Sequence, residues 1–181
     1  VAFGAPTEFR SNGKILEGEL KWTPDMLKNT IHQDDLYVEM TFAEVMDTIG
    51  LDATTEQYGE MFRDSKYRLW HANAGARRNL NRGIKAPMSG HPDYNIHAND
   101  IDFQIEADFI GLMAPGLPNA ARDYSIRVGQ VMNFGDGLYG VERIREVATS
   151  LATSGAIVQV TSLAAVALDA GEELTRAVTT R

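Results

Sequence analysis

Residues 100 to 109 read DIDFQIEADF, and this stretch decides the fold class of the chain. Acidic or amide residues alternate there with apolar ones, and strict alternation is typical of a half-buried strand. The stretch also fits a helix, because Ile101 and Ile105 recur at helical spacing. In a helix, Asp102 and Glu106 would lie one turn apart. The alternation taken alone slightly favours a strand.

The segments around this stretch have helical patterns. Apolar residues recur at helical spacing up to Ile49, and Gly50 follows as a stop. Thr54 and Gln57 have the spacing of a capping box. Helices are predicted over residues 38 to 49, about 55 to 64 and about 69 to 81, and from Pro118 along the apolar stripe Ala121, Tyr124, Val128, Val131 and Met132. Residues 1 to 33 are irregular, and the tail from Val141 predicts two or three Ala-rich helices.

The composition is that of one globular domain spanning residues 1 to 181, with 44% apolar and 23% charged residues. The absence of cysteine excludes disulfides, thiolate zinc sites, iron–sulfur clusters and a cysteine nucleophile. A net charge of −8 argues against a nucleic-acid partner. We find neither a signal peptide nor an apolar run of the roughly 20 residues that would span a membrane, so we expect a cytoplasmic protein without a membrane partner. The oligomeric state is left open.

Three clusters could carry chemistry. The first is HQDD at residues 32 to 35, where paired carboxylates at a helix entrance could bind a hard cation or could simply cap the helix. The second is WHAN at residues 70 to 73, which could line a site or belong to a packed core helix. The third runs from residue 91 to 108 and combines histidines with many carboxylates, which suits either a metal site or a solvated acidic face.

A glycine-rich loop, GDGLYG at residues 135 to 140, matches the dinucleotide-binding pattern GxGxxG. Residues 128 to 134 could form the preceding strand, residues 141 to 153 the helix and residues 156 to 160 the next strand. No acidic residue stands about 20 positions beyond the glycines, where a ribose-binding carboxylate is expected. A nucleotide-binding oxidoreductase is therefore a minor alternative, and the other is a turn between helices.

Five strings in the chain resemble the ADP-ribosylglycohydrolase family, in particular the glycohydrolases that activate dinitrogenase reductase. They are GAPTEF at 4 to 9, QDDLYVEMTF at 33 to 42, LWHANAGARRNLNRGIKAP at 69 to 87, HANDIDFQIEADFIGLMAPG at 97 to 116 and NFGDGLYG at 133 to 140. The resemblance covers residues 1 to 140, and the tail from 141 to 181 does not match. It implies an all-α fold, an orthogonal helical bundle, and hence a helix over residues 100 to 112 in spite of the alternation.

The resemblance also implies an activity. This is the Mg²⁺-dependent hydrolysis of an ADP-ribosyl or related ribosyl glycosidic bond in a small-molecule or protein adduct, with two Mg²⁺ ions in the family and Mn²⁺ as a possible substitute. The implied catalytic residues are Glu8 and Asp35, and the implied metal ligands are Gln33, Asp34 and Asp35. The predicted substrate-binding residues are His71, Asn73, Asp100, Asp102, Glu106, Gly135, Asp136, Gly137 and Tyr139.

The sequence departs from the family pattern in two places. Gln33 replaces the usual hydroxyl residue of the metal-binding triplet. A second acidic motif of the Asp-x-Asp type is missing after Gly140, where the acids are Glu142, Glu146, Asp169, Glu172 and Glu173. We therefore expect a truncated or incomplete version of the family fold. A catalytically inactive ribosyl-binding module is the second functional hypothesis.

Overall fold

The fold of the described part of the chain is helical. The computed structural model describes residues 14, 18, 19, 23 to 25 and 34 to 140, and no strand occurs among them. The helices are α1 (Asp34–Thr48), α2 (Thr55–Asp64), α3 (His71–Asn81), α4 (Asp108–Met113) and α5 (Pro118–Gly129), with 3₁₀ turns at Met88–Gly90 and Asp102–Ile105. The all-α prediction is confirmed at this level. None of the helices in the described ranges is long and apolar enough to cross a membrane.

Helix α1 contributes four buried residues to the core. It begins at Asp34, four residues before the predicted start, because the acidic first turn suits the positive end of a helix dipole. Its buried face carries the apolar stripe that the sequence predicts, and Phe42 is fully buried. The Phe42 ring packs against Tyr58 and Phe62 of α2 at centroid distances of 5.9 and 5.6 Å, and against Phe103 at 6.3 Å. This aromatic cluster joins α1, α2 and the segment that follows residue 100.

Helix α2 begins where its capping box predicts. The Thr54 hydroxyl accepts a hydrogen bond from the Gln57 N–H at 3.3 Å, and the Gln57 side chain accepts one from the Thr54 N–H at 2.8 Å. Helix α3 follows after a short loop and buries its small residues, so that Gly75 lies directly against the side chain of Asn95. The Asn95 amide donates to the carbonyls of Ala72 and Met132, and it thereby ties α3 to the chain after α5.

The stretch that begins at residue 100 is neither a strand nor one continuous helix. It forms the 3₁₀ turn Asp102–Ile105, a break at residues 106 and 107, and then α4. Two backbone N–H groups, one before the break and one after it, donate to distant acceptors. The Phe103 N–H donates to the Asn133 side chain at 3.0 Å, and the Phe109 N–H donates to Glu39 at 2.9 Å. The prediction of a helix through residues 100 to 112 is therefore wrong in its continuity, because tertiary acceptors replace the helical ones.

Helix α5 ends at Gly129, earlier than the predicted end near Asn133. Residues 130 to 132 form turns, and residues 136 to 140 are helical. The strand that a dinucleotide-binding fold needs over residues 128 to 134 is thus absent, and this part of the oxidoreductase alternative is wrong. Its predicted downstream helix and strand, like the predicted tail helices, lie outside the described residues.

Candidate functional site

The candidate site assembles three segments that are far apart in sequence. They are the N-terminus of α1 with Asp34 and Asp35, the N-terminus of α3, and the 3₁₀ turn with the residue after it. The buried side chain of Asn73 links the last two. Its backbone N–H donates to Asp102 Oδ1 at 3.0 Å, and its side-chain amide donates to Glu106 Oε1 in a short hydrogen bond. Predicted site residues from separate strings of the sequence therefore meet at one place.

Glu106 is the most deeply buried carboxyl of this site, with no exposed surface. Burial raises its pKa well above the usual value, and the charges of Asp102, Asp34 and Asp35 raise the pKa further. The hydrogen bond from Asn73 acts in the opposite direction. The charges of Asp34 and Asp35 act on the pKa of Glu106, so these two carboxylates lie near it. We call the group Asp34, Asp35 and Glu106 the carboxylate cluster.

Two further carboxyl groups near Glu106 are partly or fully buried, and burial disfavours their charged forms. Burial raises the pKa of Asp34, and the nearby His71 lowers it. Burial likewise raises the pKa of Asp102, although hydrogen bonds from the backbone of Asn73 and Ala72 lower it. A divalent cation would favour the charged form of each of these groups.

Polar atoms in this site lack hydrogen-bond partners within the described residues. They are Asn73 Oδ1, Asp102 Oδ2 and Glu106 Oε2, all buried. A buried polar atom without a partner costs about 1 to 3 kcal/mol. All three are oxygens, and Mg²⁺ and Mn²⁺ are bound by oxygen ligands. The donor set therefore fits a hard divalent cation.

A second ligand group lies beside the carboxylate cluster. His71, Asp100 and Asp102 each offer one ligand atom, and these atoms lie within 4.8 Å of one another. His71 opens α3 with φ of +36° and is exposed, Asp100 is half-buried, and Asp102 is 5% exposed. The His97 ring stacks on His71 at 5.7 Å, and its Nδ1 lies 2.8 Å from Asp100 Oδ2. We call His71, Asp100 and Asp102 the histidine triad.

The structure also contains a carboxyl pair that the sequence analysis misses. Glu39 lies one turn after Asp35 on α1 and hydrogen-bonds to Asp108. Burial, the hydrogen bond and the negative charge of Asp108 raise the pKa of Glu39 to about 9. The sequence shows that Glu39 follows Asp35 by four residues, which places the two carboxylates one helical turn apart. It gives no sign of the partner Asp108, which lies 69 residues further along the chain.

The glycine loop packs against residues 98 to 104. Gly135 has φ of +55°, a conformation that favours glycine, and Asp136 is held by hydrogen bonds from its N–H to Asn99 and from Gln104 to its carbonyl. A Cβ at Gly137 would lie 2.8 Å from the Ala98 carbonyl oxygen and 2.9 Å from that of Asp100, so this glycine permits close packing. Tyr139 is 68% exposed. Substrate contact by Gly135, Asp136, Gly137 and Tyr139 stays a prediction.

Glu8, the predicted catalytic residue of the N-terminal string, and the predicted ligand Gln33 lie outside the described residues.

Comparison of the chain with protein-family models, with curated proteins and with solved structures found no match in any of the three.

Proposed function

We propose that this protein is a Mg²⁺-dependent hydrolase that cleaves an ADP-ribosyl or related ribosyl glycosidic bond. The observation that supports the proposal is the convergence of Asp34, Asp35, Asn73 and Glu106, which come from three strings that resemble the ADP-ribosylglycohydrolase family. Carboxylate ligands at Asp34 and Asp35, with the unpartnered buried oxygens of Asn73 and Glu106 beside them, suit the Mg²⁺ site of such a hydrolase. Mn²⁺ could replace Mg²⁺ at the same ligands.

In this proposal Asp34 and Asp35 hold the metal, and the resemblance adds Gln33. Mg²⁺ held by these residues would polarise a water and orient the ribose hydroxyls. Asp35 accepts the proton that the water loses, and Glu8 would assist it. A bond would form between the water oxygen and the anomeric carbon while the bond to the leaving group breaks, and the leaving atom would take up the proton that Asp35 accepted from the water.

Other residues of the chain bind and orient the substrate. Asn73 holds Glu106 and Asp102 in place through its hydrogen bonds, so its loss would disturb both carboxyl groups at once. His71 is exposed at the edge of the site, where it can contact a bound ribosyl group. The exposed Tyr139 would contact the sugar or base only if the substrate extends toward the glycine loop.

The test is release of free ADP-ribose from ADP-ribosyl-arginine and ADP-ribosyl-serine in the presence of Mg²⁺ or Mn²⁺. We expect activity that EDTA abolishes and that Asp35→Asn lowers by at least about 100-fold, the range that loss of a general base covers. Asp47→Asn is the matched control, because Asp47 is an exposed carboxylate on the same helix. Metal-independent release, or equal activity in Asp35→Asn and the wild type, would contradict the proposal.

The second candidate function is a ribosyl-binding module without catalysis. The absence of a second Asp-x-Asp motif after Gly140 favours it, because two metal ions need more carboxylates than Asp34 and Asp35 provide. Calorimetric titration with ADP-ribose, run beside the release assay, separates the two. Binding without release supports the module, and release supports the hydrolase.

A further inference from the structure

The histidine triad combines a different set of donors from the carboxylate cluster. His71 contributes an imidazole nitrogen, while Asp100 and Asp102 contribute oxygens, and the three ligand atoms lie within 4.8 Å of one another. Ligands at about 2.1 Å from one ion lie at most about 4.2 Å apart. His71 is exposed and Asp100 half-buried, so both side chains can adjust, whereas the buried Asp102 is fixed.

Asp102 supplies an independent indication of a ligand. It is 5% exposed, and its Oδ1 accepts the hydrogen bond from Asn73, but its Oδ2 has no partner within the described residues. An ionised carboxylate oxygen buried in this way destabilises the fold unless a cation or a proton compensates it. His71 and Asp100 each place a ligand atom within 4.8 Å of a carboxylate oxygen of Asp102, so a cation bound by all three would compensate the charge of this buried carboxylate.

We propose that His71, Asp100 and Asp102 form a site for one divalent transition-metal ion, separate from the Mg²⁺ site proposed at Asp34 and Asp35. Two carboxylates balance the charge of a dication, and a neutral imidazole favours Zn²⁺, Co²⁺ or Mn²⁺ over Mg²⁺. Three protein ligands leave at least one position for water or for a bound anion.

His97 positions two of these ligands without belonging to the set. Its ring stacks on His71 with an angle of 29° between the planes, and its Nδ1 contacts Asp100 Oδ2 at 2.8 Å. A hydrogen-bonding partner behind a ligand orients it and raises its affinity for the metal. The contact leaves the other oxygen of Asp100 for the ion.

The experiment is titration of the tag-free full chain with Zn²⁺ by calorimetry and with Co²⁺ by visible absorption. The wild type is expected to bind one Zn²⁺ through the triad, and Co²⁺ is expected to show ligand-field bands. His71→Ala should weaken Zn²⁺ binding by at least about tenfold and remove the bands. Loss of a metal ligand lowers the affinity for the metal at least as much as loss of a residue that hydrogen-bonds to a ligand. Asp100→Asn should also weaken binding.

The matched control is His91→Ala. His91 lies 3.5 Å from the exposed Asp93 and packs on Phe134, so it forms a histidine–carboxylate pair outside the triad. Zn²⁺ affinity that is unchanged in His71→Ala, or that falls equally in His91→Ala, would overturn the inference. Asp34→Asn separates the two proposals, because it removes a proposed Mg²⁺ ligand and no ligand of the triad, so it should weaken Zn²⁺ binding less than His71→Ala does. A wild type that binds Zn²⁺ through His71 but shows no Mg²⁺ response or activity would refute the hydrolase alone.

Discussion

At the scale of single residues, Glu39 has the carboxyl group that should control how stability depends on pH. Its folded-state pKa is raised to about 9, above the value of 4.5 for an exposed glutamate, by burial and by Asp108. A raised pKa means that the folded state holds the proton more tightly than the unfolded state. This contribution to stability is fully present below pH 4.5 and is lost as the pH rises through about 9.

Glu39→Gln removes this titration and keeps the neutral shape. The amide oxygen can still accept from the Phe109 N–H, and the amide nitrogen can donate to Asp108. At pH 5 we expect the free energy of unfolding of the variant to lie within about 0.5 kcal/mol of the wild-type value. At pH 8.5 we expect it to be higher than the wild-type value by about 1 to 3 kcal/mol. Urea unfolding at both pH values measures the difference. A gain of the same size at both values would contradict the assignment, and Glu44→Gln, exposed on the same helix, serves as the control.

At the scale of elements, the start of α2 rests on its capping box. The exchange of hydrogen bonds between Thr54 and Gln57 satisfies two N–H groups that the helix leaves open. Thr54→Ala should therefore lower the free energy of unfolding by about 1 kcal/mol, whereas Thr54→Ser, which keeps the hydroxyl, should lower it by less than half of that. Thermal unfolding followed by circular dichroism measures both. Equal losses in the two variants would show that the hydroxyl is unimportant.

The helical residues 136 to 140, which lie within the glycine loop, depend on close packing at Gly137. A Cβ there would lie 2.7 Å from Asn133 Nδ2 and within 2.9 Å of two backbone carbonyl oxygens. Gly137→Ala should lower the free energy of unfolding by about 1 to 3 kcal/mol, because backbone atoms cannot move away from the added Cβ as a flexible side chain can. Tyr139→Ala, at an exposed position two residues later, should change stability by less than about 0.5 kcal/mol. If Gly137→Ala leaves the unfolding midpoint unchanged, this packing is wrong.

Local signals in the sequence predict elements whose hydrogen bonds are themselves local. The box at Thr54 and the apolar stripe of α1 need only neighbours within a few residues, and both are confirmed. The break after the 3₁₀ turn needs Asn73, Asn133 and Glu39 as partners. These lie about 30 to 70 residues away in sequence, so neither alternation nor helical period contains the information. For the same reason the residues of the carboxylate cluster were predicted individually, while the Glu39–Asp108 pair was missed.

At the scale of the whole molecule, the buried carboxyl groups link stability to the cations in solution. Asp34, Asp102 and Glu106 all have pKa values raised by burial, so the chain without a bound cation holds them at a cost in stability. A ligand that binds only the folded state stabilises it according to its concentration relative to its Kd. Global unfolding therefore reports on the site even when the substrate is unidentified.

Mg²⁺ should therefore raise the melting temperature of the protein. At free Mg²⁺ of about 100 times its Kd, the gain is about 2.7 kcal/mol, which for a domain of this size raises Tm by roughly 5 to 11 °C. Asp34→Asn should abolish the rise, since it removes a charged ligand while keeping the size of the side chain. Asp47→Asn should keep the rise, because Asp47 is exposed on α1 away from the cluster, and His71→Ala should keep it because His71 belongs to the histidine triad. A full Mg²⁺-dependent rise in Asp34→Asn would place the Mg²⁺ elsewhere and remove the proposed hydrolytic centre from the N-terminus of α1.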